Sequence, residues 1–332
     1  MITPSISIIG AGGWGTALAL LFARRGHRVP VWGHDAAHVA TMCADHTNQK
    51  YLPGIPLPPE VLPTADLSEC LAAEILFVAV PSKYLAEVTS QIANTAGSKT
   101  PVLVSCTKGI EQSHGLLMSE LIATNFPSAT VAVLSGPNLA GEIAKGIPAA
   151  GVIGCSDKES LKAIQSLFEG TNFRAYTSED LRGIQLGGAL KNVFAIAAGV
   201  SDGLGLGENA KAALVTRSLA EMTRLGTAMG GERDTFGGLS GIGDLMVTCF
   251  SDRSRNHQVG FRLGKGETLP DIISSMAMIA EGVPTAASAH ASSRRLGVET
   301  PIIDEVHALL QGTKSPAEGM KALMSRQLKA EG

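Results

Sequence analysis

Residues 5–15, Ser5-Ile6-Ser7-Ile8-Ile9-Gly10-Ala11-Gly12-Gly13-Trp14-Gly15, carry an apolar strand straight into a glycine turn, and the helical stretch 16–25 follows. No other junction constrains the fold as much. G-x-G-x-x-G has meaning only between a strand and a helix, and both stand here. Gly10 permits the tight turn, Gly12 lets the backbone approach a pyrophosphate, and Gly15 lets helix and strand pack closely. Gly13 and Trp14 complete the turn, whose helix amides and positive dipole end then face a diphosphate. The expectation is a nucleotide-binding β-α-β unit.

Downstream, short β-rich runs alternate with helical ones. Strands are expected near 5–9, 28–32, 75–80, 101–105, 130–134 and 149–154, giving a doubly wound parallel sheet. The Pro-rich stretch 51–59 reads as an ordered surface loop. Past residue 178 the β-branched runs fade, and helices are expected over 183–201, 209–230, 271–296 and 302–330. The 332 residues suffice for two cores, which sets domains at 1–180 (α/β, Rossmann-type) and 181–332 (all-α).

The net charge of −3 offers no footprint for nucleic acid or a membrane surface. Apolar runs such as 75–80 fall short of a membrane span, and no basic n-region with an h-region opens the chain. Five dispersed cysteines (Cys43, Cys70, Cys106, Cys155 and Cys249) with no C-x-x-C fit reduced thiols in a cytoplasm. A soluble cytoplasmic protein without stable membrane insertion is expected.

Ligands of open parallel sheets sit outside the carboxyl ends of the strands. The polar or Gly-rich segments there are the Gly12 turn, Gly33-His34-Asp35, Pro81-Ser82-Lys83, Thr107-Lys108-Gly109 and Ser135-Gly136-Pro137-Asn138. An acidic residue about twenty positions past the glycines would take the adenosine ribose hydroxyls and favour NAD. Asp35 stands one or two positions late for that role, and equally caps the next helix. His34 is better placed and does not repel a 2′-phosphate, so NADP or NAD is expected, with a leaning to NADP. His34, His38, Cys43 and His46 lack the tight second pair of a zinc site, and no metal is expected. Gly238-Leu-Ser-Gly241 misses the nucleophile elbow because Ile242 replaces the last glycine, and no P-loop occurs.

One cation, Lys191, stands in the otherwise apolar helical stretch 183–199. Gly187, Gly188 and Ala195 neighbour it on a helix and leave room for a ligand. Apolar burial would lower its pKa toward the range useful for proton transfer. A lysine snorkelling at a domain junction explains the same residue equally well. Ser251-Asp252-Arg253-Ser254-Arg255-Asn256-His257 concentrates donors suited to a phosphate dianion, against the simpler reading of a solvated turn. Asp244 is either a helix cap or a partner that holds Lys191.

Gly10-x-Gly12-x-Trp14-Gly15, Thr107-Lys108-Gly109, Ser135-Gly136-Pro137, Gln185 to Asn192 around Lys191, Gly243-Asp244-Leu245 and Ser254-Arg255-Asn256 occur in this order. Together they resemble the bacterial NAD(P)-dependent glycerol-3-phosphate dehydrogenases, nearly end to end. The resemblance implies interconversion of dihydroxyacetone phosphate and sn-glycerol 3-phosphate for glycerophospholipid synthesis. It also implies a C-terminal domain like that of 6-phosphogluconate dehydrogenase. By similarity Lys191 is the general acid/base. Lys108, Gly136, Asn138, Lys191, Asp244, Ser254, Arg255 and Asn256 would contact substrate. Gly13, Trp14, His34, Lys108, Ala140, Arg255, Ile279 and Glu281 would contact cofactor. The chain departs from commoner members at Asn138, often a hydroxyl residue, and at Ile279, often Val. A homodimer is expected from the apolar helical half. The competing readings are a similar dehydrogenase acting on a β-hydroxy acid or sugar acid, and a nucleotide-sensing regulator without turnover.

Overall fold

The computed structural model describes residues 4–97, 101–327 and 330. It divides into one unit of Met1–Glu111 with Leu116–Gln185, and a second of Gln112–Gly115 with Leu186–Gly332. The strands are β1 (Ile6–Ile9), β2 (Val29–Trp32), β3 (Thr47–Asn48), β4 (Leu52–Pro56), β5 (Val61–Thr64), β6 (Ile75–Val78), β7 (Val102–Ser105), β8 (Val131–Ser135), β9 (Ala149–Gly154) and β10 (Phe173–Ser178). Eight form one sheet in the order β10-β9-β8-β7-β6-β1-β2-β5. From β5 to β8 every pairing is parallel, the doubly wound order of a dinucleotide-binding sheet.

Period-two alternation sends successive side chains to opposite faces. Ile75 and Phe77 of β6 enter one core layer with the Gly13–Ala23 helix, while Leu76 and Val78 enter the other. Phe22, Phe77, Phe168 and Phe173 fill the first layer, with centroids 5.1–5.2 Å apart for Phe22–Phe77, Phe22–Phe168 and Phe168–Phe173.

Three features differ from the sequence expectation. β9 runs antiparallel to β8, so the sheet is mixed at that edge. β5 and β10 were not expected. The Pro-rich stretch is not a loop throughout, because Leu52–Pro56 pairs with Thr47–Asn48 in a separate ribbon. Proline is tolerated on such an edge because no ladder N–H is required of it there.

The second unit is helical. The expected helix over 271–296 is two, Leu269–Ser275 and Gly282–Leu296, and the one over 302–330 is Pro301–Leu310 and Pro316–Met324, with residues 328–329 outside those described. The second break follows from Gly312 at φ +68° and from the capping box of Ser315 with Glu318. Leu181–Gly203 is long and apolar enough to cross a membrane, contrary to the expectation that no segment is, yet its apolar window is wholly buried within the protein. It makes backbone-close contact with the Arg255–Gly264 helix. A Cβ at Gly199 would collide with the His257 carbonyl, and one at Gly260 with that of Ile196.

Glu221, 1% exposed, accepts the N–H groups of Ile302 (3.0 Å) and Ile303 (2.9 Å) at the start of the Pro301–Leu310 helix. Burial outweighs those donors and pushes its carboxyl up to about 7. A carboxyl raised on folding binds its proton more tightly in the native state. Its stabilisation is therefore complete below the unfolded value near ~4.3 and lost as pH rises through about 7. The urea-unfolding free energy of the protein minus that of Glu221→Gln should fall by about 2–3 kcal/mol between roughly pH 5 and pH 8. A difference that stays flat across this range would show that Glu221 titrates normally.

Candidate active site

In the first unit the glycine turn is built as the spacing requires. Gly10 has φ +121°, and a Cβ there would stand 2.6 Å from the Ala79 carbonyl oxygen. A Cβ at Gly15 would collide with the Gly10 carbonyl. Gly12 has open space where its side chain would be, and it caps the Gly13–Ala23 helix without any side-chain acceptor. The first turn carries no acid, so its amides suit a diphosphate. The residues present fit a dinucleotide.

The remaining strand-end residues gather on the same edge of the parallel strands. His34 is exposed just past β2. Asp35 takes the cap reading, its Oδ1 accepting the His38 N–H at 3.1 Å. Lys108 Nζ donates to the Gly136 carbonyl at 2.8 Å. Gly136 has φ +127°, and a Cβ there would press within 2.9 Å of Gly151 Cα. Ala140 opens a short helix, its methyl 3.9 Å from the position of a Gly13 Cβ. Both amide atoms of Asn138 are buried with no hydrogen-bond partner among the described residues. A buried amide left this way is costly unless a ligand satisfies it.

In the second unit Lys191 is 7% exposed but not in the purely apolar setting its helix suggests. Its Nζ lies 3.0 Å from Asp244 Oδ1 and donates to Thr248 Oγ1 at 2.7 Å, and Thr248 in turn donates to the Asp244 backbone carbonyl at 2.6 Å. Asp244, 1% exposed, begins the Asp244–Phe250 helix without capping it, which selects the partner reading. The carboxylate compensates the buried ammonium. Gly187 serves packing instead of ligand space, since a Cβ there would come within 2.5 Å of the Ser240 carbonyl oxygen.

The donor-rich segment is a helix start and not merely a solvated turn. Ser254 caps Arg255–Gly264 by accepting the His257 N–H at 3.2 Å. Asn256 donates to Asn192 Oδ1 and accepts from Gly282 N–H, each at 2.8 Å, which ties the cap to the lysine helix. Arg255, exposed, donates to the Ile279 carbonyl at 2.7 Å, so the break before Gly282–Leu296 serves this guanidinium. Glu281 precedes that helix. Asp202 Oδ2 meets Lys211 Nζ at 2.6 Å and His257 Nε2 at 2.7 Å. Burial opposes the charge of Asp202, but these two partners outweigh it and hold the carboxyl below its usual range.

Thr248, Asn192 and Asn48 were missed as site-building residues. Thr248 had a signal, since it lies four residues after Asp244 on one helix face. Asn48 had none, its partners Ala11 and Thr16 being 37 and 32 residues away.

A diphosphate-type turn on a doubly wound sheet and a buried lysine–aspartate pair on a helical unit are parts that a nicotinamide-dependent dehydrogenase uses. Residues 5–161 match the N-terminus and residues 180–321 the C-terminus of the NAD-dependent glycerol-3-phosphate dehydrogenase family. A glycerol-3-phosphate dehydrogenase [NAD(P)+] of Syntrophotalea carbinolica is 46% identical, over 98% of this chain and 99% of its own. One of Desulfotalea psychrophila is 44% identical, over 99% of each. The crystal structure of glycerol-3-phosphate dehydrogenase from Coxiella burnetii superposes with a TM-score of 0.93 at 36% identity, covering 98% of this chain and 99% of that one. The chain belongs to the NAD-dependent glycerol-3-phosphate dehydrogenase family.

Proposed function

We propose that the chain is an NAD(P)-dependent glycerol-3-phosphate dehydrogenase. It interconverts dihydroxyacetone phosphate and sn-glycerol 3-phosphate, and thereby supplies the glycerol backbone of phospholipids. The Lys191–Asp244–Thr248 constellation carries this reading, because carbonyl reduction needs a positioned proton donor and a charge-compensated ammonium is one. The bound nicotinamide supplies or accepts the hydride. Residues 1–180 form the dinucleotide domain and 181–332 the substrate domain.

Gly10, Gly12, Gly13, Trp14 and Gly15 hold the dinucleotide, together with His34, Lys108, Ala140, Arg255, Ile279 and Glu281. Lys191 gives its proton to the carbonyl oxygen on reduction and takes it back on oxidation. Asp244 and Thr248 orient its ammonium. Lys108, Gly136, Asn138, Ser254, Arg255 and Asn256 bind the substrate, and the guanidinium of Arg255 meets its phosphate. The amide of Asn138, buried with no partner among the described residues, supports its place in that set. The protein works as a cytoplasmic homodimer without stable membrane insertion. Its cysteines Cys70, Cys106 and Cys249, buried and pushed up to about 12 by burial, suit a reduced state.

The deciding experiment follows loss of nicotinamide absorbance with dihydroxyacetone phosphate and, separately, with carboxylated ketones. Turnover confined to the phosphorylated ketone is expected. Turnover with the carboxylated ones alone would move the chain to another dehydrogenase activity, and cofactor binding without any turnover would make it a sensor. Arg255→Lys should raise KM for the phosphorylated ketone about tenfold with little change in kcat, since a point charge does not replace the guanidinium fork. An unchanged KM would place phosphate recognition elsewhere.

A further inference from the structure

The turn between β3 and β4 delivers a cation to the nucleotide half-site. Asn48, fully buried, donates its amide to the Ala11 carbonyl at 3.0 Å and to Thr16 Oγ1 at 2.8 Å, and accepts the Tyr51 N–H at 3.2 Å. The Tyr51 carbonyl oxygen lies 2.8 Å from the position of a Gly13 Cβ. Asn48 and Tyr51 therefore bracket Lys50 and lock it against the glycine turn. From there Lys50 Nζ reaches the end of β2, 3.5 Å from Asp35 Oδ2, with its side chain 47% exposed. The end of β2 is itself contiguous with the turn, since a Cβ at Gly33 would meet the Ala11 methyl at 3.1 Å.

In a sheet of this topology the adenosine ribose lies at this strand end, where an acid selects its free hydroxyls and a cation accommodates a 2′-phosphate. Asp35 is the acid here, and both its oxygens are engaged: Oδ1 by the His38 N–H and Oδ2 by Lys50. The His38 N–H first, and Lys50 after it, hold this carboxyl below its usual range. The charged and titratable groups gathered at the site are Asp35, Lys50, His34, His38 and Tyr51, whose ring lies 5.1 Å from Lys50 Nζ and whose hydroxyl bonds that ammonium.

We propose that Lys50 reads the 2′-phosphate of NADP(H), with His34 beside it, while Asp35 caps its helix instead of binding the ribose hydroxyls. This rests on the glycine turn being a dinucleotide site. An ammonium directs three N–H donors at a phosphate dianion and gains a charge-assisted bond that an unphosphorylated ribose does not offer. Because the site is exposed, the gain falls as salt rises.

The test is calorimetric titration with adenosine 2′,5′-bisphosphate and with 5′-AMP, which needs neither substrate nor turnover. The wild-type protein should bind the bisphosphate at least about tenfold more tightly, as a charge-assisted phosphate bond allows. Lys50→Met should remove most of that ratio, leaving 5′-AMP affinity within about twofold, while Lys50→Arg keeps it. Higher ionic strength should shrink the ratio. A ratio unchanged in Lys50→Met overturns the proposal, as does a wild type that prefers 5′-AMP. If the wild type binds neither nucleotide, the dinucleotide reading itself fails, and retained 5′-AMP binding distinguishes the two failures.

Discussion

Lys191→Ala lowers kcat for reduction of dihydroxyacetone phosphate by about 10²–10⁴-fold, the usual worth of a positioned proton donor. The ammonium sits on a helix whose apolar span is wholly buried, 3.0 Å from a carboxylate and bonded to a threonine hydroxyl. These contacts orient the ammonium, and water has little access to replace it at 7% exposure. The loss should appear in kcat while the affinity for NADPH, measured by fluorescence titration, stays within about threefold, because transition-state and ground-state contacts separate in this way. A variant that keeps most of its turnover would remove the lysine from the chemistry.

Asp244→Ala is expected to destabilise the protein by about 3–5 kcal/mol, the cost of leaving a buried ammonium without its counter-charge. Asp244 is 1% exposed and Lys191 is 7% exposed, so solvent does not take over the pairing. The double variant Lys191→Met/Asp244→Leu should recover most of this stability while remaining inactive, since an apolar pair of similar volume avoids the desolvation penalty altogether. Denaturant unfolding of the two single variants and the double variant measures the coupling. Additive effects would mean that the two side chains do not share one electrostatic account, and that Asp244 acts on catalysis without holding Lys191.

The glycine turn, six of the eight strands of the main sheet and the helical character of the second half were legible because they follow local patterns. Gly10 and Gly15 are required by close backbone approaches at the turn while Gly12 keeps open space there, and period-two patterning marks the strands. Lys191 stood out as one cation in an apolar stretch, but its environment did not. Asp244 and Thr248 lie 53 and 57 residues away (244 − 191 and 248 − 191), and nothing in the spacing says they converge on the same nitrogen. The same distance in sequence hid the tie of Asn48 to the glycine turn and the reach of Lys50 to Asp35. The antiparallel pairing of β9 with β8 escaped because a buried strand has the same pattern in either direction.

By itself the sequence determined what nearest-neighbour sterics and hydrophobic period control: a nucleotide-type turn at the chain start, a doubly wound sheet, a helical second half and the residues that carry charge. Only the tertiary structure decided what those charges meet. It turned Asp35 into a cap paired with Lys50, made Asp244 the counter-ion of Lys191, spent Gly187 on a helix contact, and left the Asn138 amide without a partner among the described residues. The reason is physical: turn and helix preferences act over a few residues, whereas ion pairing and satisfaction of buried polar groups depend on positions in space that only the folded chain brings together.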